Sequence, residues 1–472
     1  KPFYYSEAED GSGLMFGSEI KSFLAHPKFH KAVNHNALRP YLTLQFSATD
    51  ETFFEGVYKL PAAHCFTYDL ATHAMDVRRY WDCDFSEIDK SFEEYVDELD
   101  EVVHESVSAH RIADVKVGSF LSGGVDSSYI AACLMPDKTF SVGFDYNKFN
   151  ETNYAKELSD KLGIENYRKM ISADEFFEAL PEIQYHMDEP QSNLSSVPLW
   201  FLAQMAAEQV TVVLSGEGAD EIFGGYAWYE DNPSVAKYKR MVPFGVRRAL
   251  GKAAKHMPYF KGHNFLMKGA EMAEEYFVGQ ALVWPEREVS SVLRPEYDKG
   301  EGAFELAAPI YARVSDKSEL IRKQYLDMNM WLPGDILLKA DKMCMAHSLE
   351  LRVPFLDRRV MEFAEHIPDR YRVNENGNKL VLRHAANKSL PDEWATRPKV
   401  GFPVPMIYWL REEKWYNWVK EYFTAPWASE FFDCDVLMGL LDEHYEGKAQ
   451  NQRKIYTPLV FLIWYKRYFI DE

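Results

Sequence analysis

Cysteine is scarce in this chain: Cys65, Cys83, Cys133, Cys344 and Cys434 are five residues among 472, and no two form a C-x-x-C pair. An odd number of scattered thiols argues against both a disulfide framework and a zinc knuckle, and it fits a reducing cytoplasm. Long hydrophobic runs are also missing. The most apolar stretch, LVFLIWYKRYF, is broken by Lys466 and Arg467 and falls short of the roughly 20 residues a membrane helix needs. It reads as a buried helix, and no membrane is expected as a partner. No charged, apolar, small-residue pattern of a signal peptide opens the chain, although Lys1 is an unusual first residue and an upstream piece is expected. Positive charge is in deficit. Lys and Arg number 53 against 73 Asp and Glu, a net charge of -20, so a phosphate-tracking surface would have to form against the field of the whole protein. Nucleic acid is not expected as a partner.

Apolar residues are plentiful. They make up 47% of the chain and aromatics 15%, enough at this length for two cores. The first 80 or so residues alternate aromatic and β-branched runs (PFYYSE, GLMFGS, HCFTYDL) with turn residues, as half-buried antiparallel strands do. Between Tyr80 and Tyr95 the sequence turns acidic and then becomes helical, which places a boundary there. Beyond it DVKVGSFL, KTFSVGFD and VTVVLSG each run into a turn and a helical pattern, the rhythm of a parallel α/β sheet. From Tyr226 onward helical periodicity dominates.

Three segments carry chemistry. In SFLSGGVDSSYIAA, Phe120 and Leu121 end a strand, Gly123 and Gly124 make a bare turn, and Ser127 opens a helix. Backbone N–H groups at a helix start make an anion site, and Asp126 beside it can bind the Mg²⁺ that accompanies polyphosphate. The segment lacks a Gly-Lys-Ser/Thr ending, so cleavage at the α-phosphate is expected rather than γ-transfer. A lone SGG would be no more than a Gly-rich helix start with capping hydroxyls. VVLSGEGADEIFGGY packs Glu217, Asp220 and Glu221 where a strand ends; three close carboxylates require a cation or a retained proton, or else full solvation. In TFSVGFD, Val142 ends a neighbouring strand, where its backbone can reach an adenine edge.

Together LSGGVDSS, FSVGF and VVLSGEGADEIFGGY, with LPGDILLKADKMCMAHSLELRVPFLD and NKLVLRHAANKSLP, resemble the pyrophosphate-loop (PP-loop) domain of class B asparagine synthetases. KPFYY, FGSEIKSFLAHP and GVYKLPAAHCFTYD resemble the second half of that family's glutaminase, an N-terminal-nucleophile β-sandwich. The resemblance implies residues 1–82 as a partial glutaminase domain without its catalytic cysteine, and 92–472 as a parallel-sheet ligase domain with a large helical part. It implies adenylation of L-aspartate by ATP followed by attack of ammonia, which releases pyrophosphate and AMP. Glutamine would supply nitrogen in the intact protein and ammonia in this chain, and a homodimer is allowed for. By position, Leu121, Val142, Ser215 and Gly216 would contact the nucleotide, and Ser122, Gly123, Gly124, Asp126, Ser127 and Ser128 would form the phosphate loop. Asp126 and Asp220 would hold Mg²⁺. Glu217 would support adenylate formation and take a proton from nitrogen, and Lys379 would neutralise charge on the α-phosphorus.

Asn193, Lys342 and Cys344 depart from the commonest family pattern; Asn193 bears on the acceptor pocket. Glu350, Arg352 and Asp357 are expected to form an internal ion-pair network, and Lys399 in RPKVGFPVP to be a loop phosphate contact. The alternative is an amide-forming PP-loop ligase for another carboxylate, akin to β-lactam synthetases or peptide cyclases. The intact SGEGADE run favours an external nitrogen donor.

Overall fold

The computed structural model describes residues 1–8, 13–146, 150–230, 232–257, 262–397 and 403–471. Two small antiparallel sheets lie in the first 80 residues. Strands β1 (Tyr4–Glu7), β2 (Leu14–Gly17) and β3 (Tyr58–Lys59) form one, ordered β2-β1-β3, with Tyr5 opposite Phe16 and Tyr58. Strands β4 (His64–Tyr68) and β5 (Met75–Arg79) form a hairpin. Between β2 and β3 lies the short helix Leu38–Leu44, whose side chains are buried on nearly every face. A helix apolar all round must be enclosed by other elements. Here Tyr41 packs on Phe53, and its hydroxyl donates 2.9 Å to the Thr457 carbonyl at the far end of the chain.

The third sheet is wholly parallel. Strands β6 (Val117–Phe120), β7 (Lys138–Phe144), β8 (Glu165–Ile171), β9 (Val212–Leu214) and β10 (Glu350–Arg352) are ordered β10-β9-β6-β7-β8. Every residue of β6 and β9 is buried, as expected where helices cover both faces. Helices Phe92–His110 and Ala173–Met187 both begin in capping boxes, Ser91 with Glu94 and Ser172 with Glu175. Neither β8 nor β10 stands out in the sequence: ENYRKMI is mostly polar, and ELR is three residues long. The expected network of Glu350, Arg352 and Asp357 is corrected accordingly. Arg352 does pair with Glu350, at 2.7 Å, but Asp357 instead caps the helix Arg358–Ala364 and pairs with Arg359. The two acids belong to different elements, a strand and a helix start.

The chain runs from β6 outward through β7 and β8, then returns to the other side of β6 with β9. Direction reverses between β6 and β9, and in open parallel sheets ligands collect outside the strand carboxyl ends at that point. The turns that follow these two strands are the SGGVDSS and SGEGADE segments.

One core joins the amino-terminal sheet to the ligase sheet. Tyr4, Ile20, Leu38 and Phe53 share it with Phe140, Phe176, Val197 and the helix Gln452–Tyr465, in which every residue from Ile455 to Trp464 is buried, as the apolar run predicts. Its polar bolt is Asp188, wholly buried in a positive-φ conformation (66°). Its carboxylate takes Lys342, an ammonium equally removed from water, and Lys21 at 3.0 Å; its carbonyl accepts from Trp464 Nε1 at 2.7 Å. Stripping a buried pair of one partner is costly because the other charge stays desolvated. Asp188→Ala is therefore expected to lower unfolding stability by about 3–5 kcal/mol in urea titrations; a loss below about 1 kcal/mol would contradict this reading of the seam.

Candidate functional site

The turn after β6 is shaped by its hydroxyls and by a positive-φ glycine. Gly123 has φ 83°, and a β-carbon there would stand 2.9 Å from Tyr154 Cβ. Ser122 and Ser127 face one another at 3.0 Å between Oγ atoms, and the Gly124 N–H donates to Ser122 Oγ at 3.3 Å. Helix Val125–Leu134 then starts with Asp126 in its first turn. The turn after β9 presses directly onto it: a β-carbon on Gly216 would lie 2.7 Å from Asp126 C and from Ser127 N. Glycine at 216 is thus a packing requirement of the two turns. Gly218, with φ 89°, lies so close to Leu356 that a β-carbon would approach to 2.5 Å.

Behind these turns sits Lys379. Its backbone is left-handed (φ 51°), a conformation rare for a non-glycine residue and characteristic of functional sites. Its Nζ lies 2.7 Å from both oxygens of Asp126 and 2.7 Å from Asp220 Oδ1, with its side chain 1% exposed. Carboxylates from two different turns therefore converge on one cation. Gly225 makes room for it, since a β-carbon there would overlap both Asp220 Oδ1 and Lys379 Cε. Next in line, Glu221 is buried and accepts from the Tyr226 hydroxyl at 2.6 Å. Burial, with Asp220 beside it, pushes its carboxyl up to about 7.

A cavity of about 420 Å³ opens over these groups. Leu121, Ser122, Gly124, Asp126, Ser127, Val142, Ser215, Gly216, Glu217 and Asp220 all line it, so the structure brings together most of the residues singled out by sequence. Three lie outside the lining. Gly123 turns its carbonyl to Arg397 at 3.2 Å, Ser128 is fully buried one turn into the helix, and Lys379 is sealed behind its two carboxylates. Lys399 falls outside the described residues. Arg397, two positions earlier, is the loop residue that reaches the phosphate turn, paired with Glu151 at 2.6 Å and stacked on Tyr154.

The other side of the cavity was not legible beforehand, Asn193 apart. Gln45, Ser195, Lys339 and Arg453 line it, drawn from the amino-terminal segment, the stretch after Asp188, helix Leu338–Met345 and the last long helix. Asn193 donates 2.8 Å to buried Asp335 and accepts from Ser195 Oγ at 2.7 Å.

Among the described residues, no group of three or more His, Cys, Asp or Glu side chains is arranged to hold a metal. Asp126 and Asp220 nevertheless supply hard oxygen donors that converge on a cation, and this fits a Mg²⁺ completed by phosphate oxygens and water. Among the described residues, no helix is long and apolar enough to cross a membrane.

Residues 98–466 match the family model described as asparagine synthase, and residues 1–81 match a glutamine amidotransferase domain. The chain belongs to the asparagine synthase family. It is accordingly an enzyme of the ligase class. A glutamine-hydrolysing asparagine synthetase 1 of Bacillus subtilis (strain 168) is 37% identical over 482 residues, 100% of this chain and 75% of its own. A putative glutamine-hydrolysing asparagine synthetase of Mycobacterium tuberculosis (strain H37Rv) is 36% identical over 480 residues, 98% of this chain and 72% of its own. Among solved structures, the U34-tRNA thiolase of Methanococcus maripaludis aligns over 60% of this chain and 85% of its own, with 15% identity and a TM-score of 0.22.

Within this asparagine synthase fold the raised Glu221 carboxyl has a measurable consequence. Its folded pKa lies above the ordinary 4.5, so the native state holds the proton more tightly and loses stability as pH rises from about 4.5 to about 7. Glu221→Gln abolishes that titration. Urea midpoints at about pH 5 and about pH 8 should show the variant gaining on the parent chain as pH rises; a pH-independent difference would place the Glu221 pKa near its ordinary value.

Proposed function

We propose that the chain converts L-aspartate to L-asparagine through a β-aspartyl-AMP intermediate, with ATP as the adenylyl donor and ammonia as the nitrogen source. The observation that carries the reading is the convergence of the phosphate turn, Glu217 and the Asp126–Lys379–Asp220 cluster on one cavity at the sheet's switch point. The membership of the asparagine synthase family and the names of the relatives support aspartate as acceptor. We divide the chain into residues 1–82, part of a glutaminase, and 92–472, the ligase; the family matches over residues 1–81 and 98–466 support that division.

A carboxylate does not react with ammonia, so its oxygen must first be joined to phosphorus. The helix start at Val125 and the bare turn at Gly123 and Gly124 direct backbone N–H groups toward a polyphosphate. Asp126 and Asp220 would hold Mg²⁺, which would neutralise the polyphosphate and ease departure of pyrophosphate. The aspartate β-carboxylate oxygen bonds to the α-phosphorus as the bond to the pyrophosphate oxygen breaks. Lys379, paired with Asp126 and Asp220, would supply positive charge near the phosphorus as the pentacovalent state gathers negative charge. Ammonia then bonds to the β-carbonyl carbon, Glu217 takes the proton shed by nitrogen, and AMP leaves with one former carboxylate oxygen.

Ammonia rather than glutamine is assigned to this chain because four of its five thiols, Cys83, Cys133, Cys344 and Cys434, are suppressed rather than activated. Burial pushes Cys83 and Cys133 up to about 12 and raises Cys344 and Cys434 as well. The nucleophile is the thiolate, and low thiol pKa values mark catalytic cysteines. The same unpaired thiols suit a cytoplasmic setting.

Pyrophosphate release should depend on aspartate, ATP and Mg²⁺ together, with asparagine formed from ammonium chloride but not from glutamine. Glu217→Gln should lower kcat by about 10²–10⁴-fold, and Lys379→Met should cost about 3–4 kcal/mol of transition-state stabilisation. Aspartate-independent pyrophosphate release, or full activity in Glu217→Gln, would overturn the assignment.

A further inference from the structure

The mechanism above uses one side of the cavity and leaves an unusual cation on the other. Lys339 is 4% exposed and lines the cavity. Its Nζ donates 2.8 Å to Ser195 Oγ, and it takes part in no ion pair among the described residues. A desolvated ammonium held by one hydroxyl is costly unless an anion arrives to meet it. Arg453, on the first turn of helix Gln452–Tyr465, lines the same cavity and is exposed to solvent. Neither cation forms an ion pair, among the described residues, with the carboxylates that line the same cavity, Asp126, Glu151, Glu217, Asp220 and Glu221.

Both are aimed from a single point. Asp335, wholly buried and outside the cavity lining, sends one relay from each oxygen. Oδ1 accepts from Asn193 Nδ2 at 2.8 Å; Asn193 Oδ1 accepts from Ser195 Oγ at 2.7 Å, and Ser195 Oγ accepts from Lys339. Oδ2 accepts from Gln45 Nε2 at 2.8 Å, and Gln45 Oε1 accepts from Arg453 at 3.2 Å. None of these hydrogen bonds reaches the phosphate turn or the turn after β9.

We infer that Lys339 and Arg453 bind the α-carboxylate of the amino-acid substrate, the carboxylate that is not adenylated, and that Asp335 positions both cations through Asn193–Ser195 and Gln45. The assignment rests on the aspartate reading above and deepens it. With the α-carboxylate fixed there, the β-carboxylate is the one left for the phosphorus. Gln45 carries the amino-terminal segment into amino-acid selection, and Asn193 becomes a link in the relay.

The test is steady-state pyrophosphate release by the full chain with Mg²⁺-ATP and ammonium, varying aspartate and ATP separately. Lys339→Met and Arg453→Met should each raise the aspartate KM at least about tenfold with the ATP KM within about twofold. Asp335→Asn should also raise the aspartate KM with little change in kcat. Combined with Lys339→Met, it should cost less than the two single losses added, because the relay ends on that lysine. Turnover of 3-aminopropanoate, which is aspartate without its α-carboxylate, should be no worse in Lys339→Met than in the parent chain. Arg453 is solvent-reachable, so Arg453→Met retains a readout should a buried variant fold poorly. An unchanged aspartate KM, or an ATP KM that rises with it, would overturn the assignment and move these cations to the phosphates or to structure. A parent chain that releases no aspartate-dependent pyrophosphate would overturn the aspartate reading as well.

Discussion

The ion cluster Asp126–Lys379–Asp220 is the contact on which the site depends. Each member comes from a different part of the chain: the first turn after β6, the left-handed residue before helix Leu380–Ala386, and the short helix after β9. Two carboxylates facing one another in a half-dry crevice would repel strongly, and the lysine makes their approach tolerable. The lysine in turn could not be buried without them. Several local sequence choices then follow from geometry. Gly216 lets the two turns touch, Gly225 leaves room for the lysine side chain, and the strained φ at 379 delivers its ammonium.

Charge is handled differently across the cavity. On the phosphate side Asp126 and Asp220 share one lysine, and Glu221, one residue further, holds its proton up to about 7. On the other side, Lys339 is desolvated and donates to Ser195, and buried Asp335 is hydrogen-bonded to the amides of Asn193 and Gln45 that lead to the two cations. A compensated region suits a polyphosphate that brings its own counter-ion. A desolvated lysine outside any ion pair suits a single carboxylate. The seam between the amino-terminal sheet and the ligase follows the first pattern, with Asp188 saturated by Lys342 and Lys21, and there the result is rigidity rather than binding.

Much of the phosphate side was legible in the amino-acid sequence because its signals are local. SGGVDSS and SGEGADE each lie in one stretch, and the placement of such turns at strand ends follows from the periodicity around them. The far side was not legible, because Gln45, Asn193, Lys339 and Arg453 are brought together only by tertiary packing and none is remarkable beside its own neighbours. Strands β8 and β10 escaped for another reason: one is largely polar at the sheet edge, and the other is only three residues long. Asp357 was misassigned because sequence proximity to Arg352 stood in for a contact that a helix cap removed. Lys399 lies outside the described residues, and Arg397, two positions earlier, contacts the turn after β6.

The central claim is that an aspartate oxygen attacks the α-phosphorus of ATP within this cavity. Incubating the chain with aspartate carrying ¹⁸O in its β-carboxylate, unlabelled ATP, Mg²⁺ and ammonium, and reading AMP by mass spectrometry, tests that step directly. One ¹⁸O should appear in the phosphate of each AMP formed with asparagine, and none in pyrophosphate. Unlabelled AMP, or label in inorganic phosphate alongside ADP, would contradict the account.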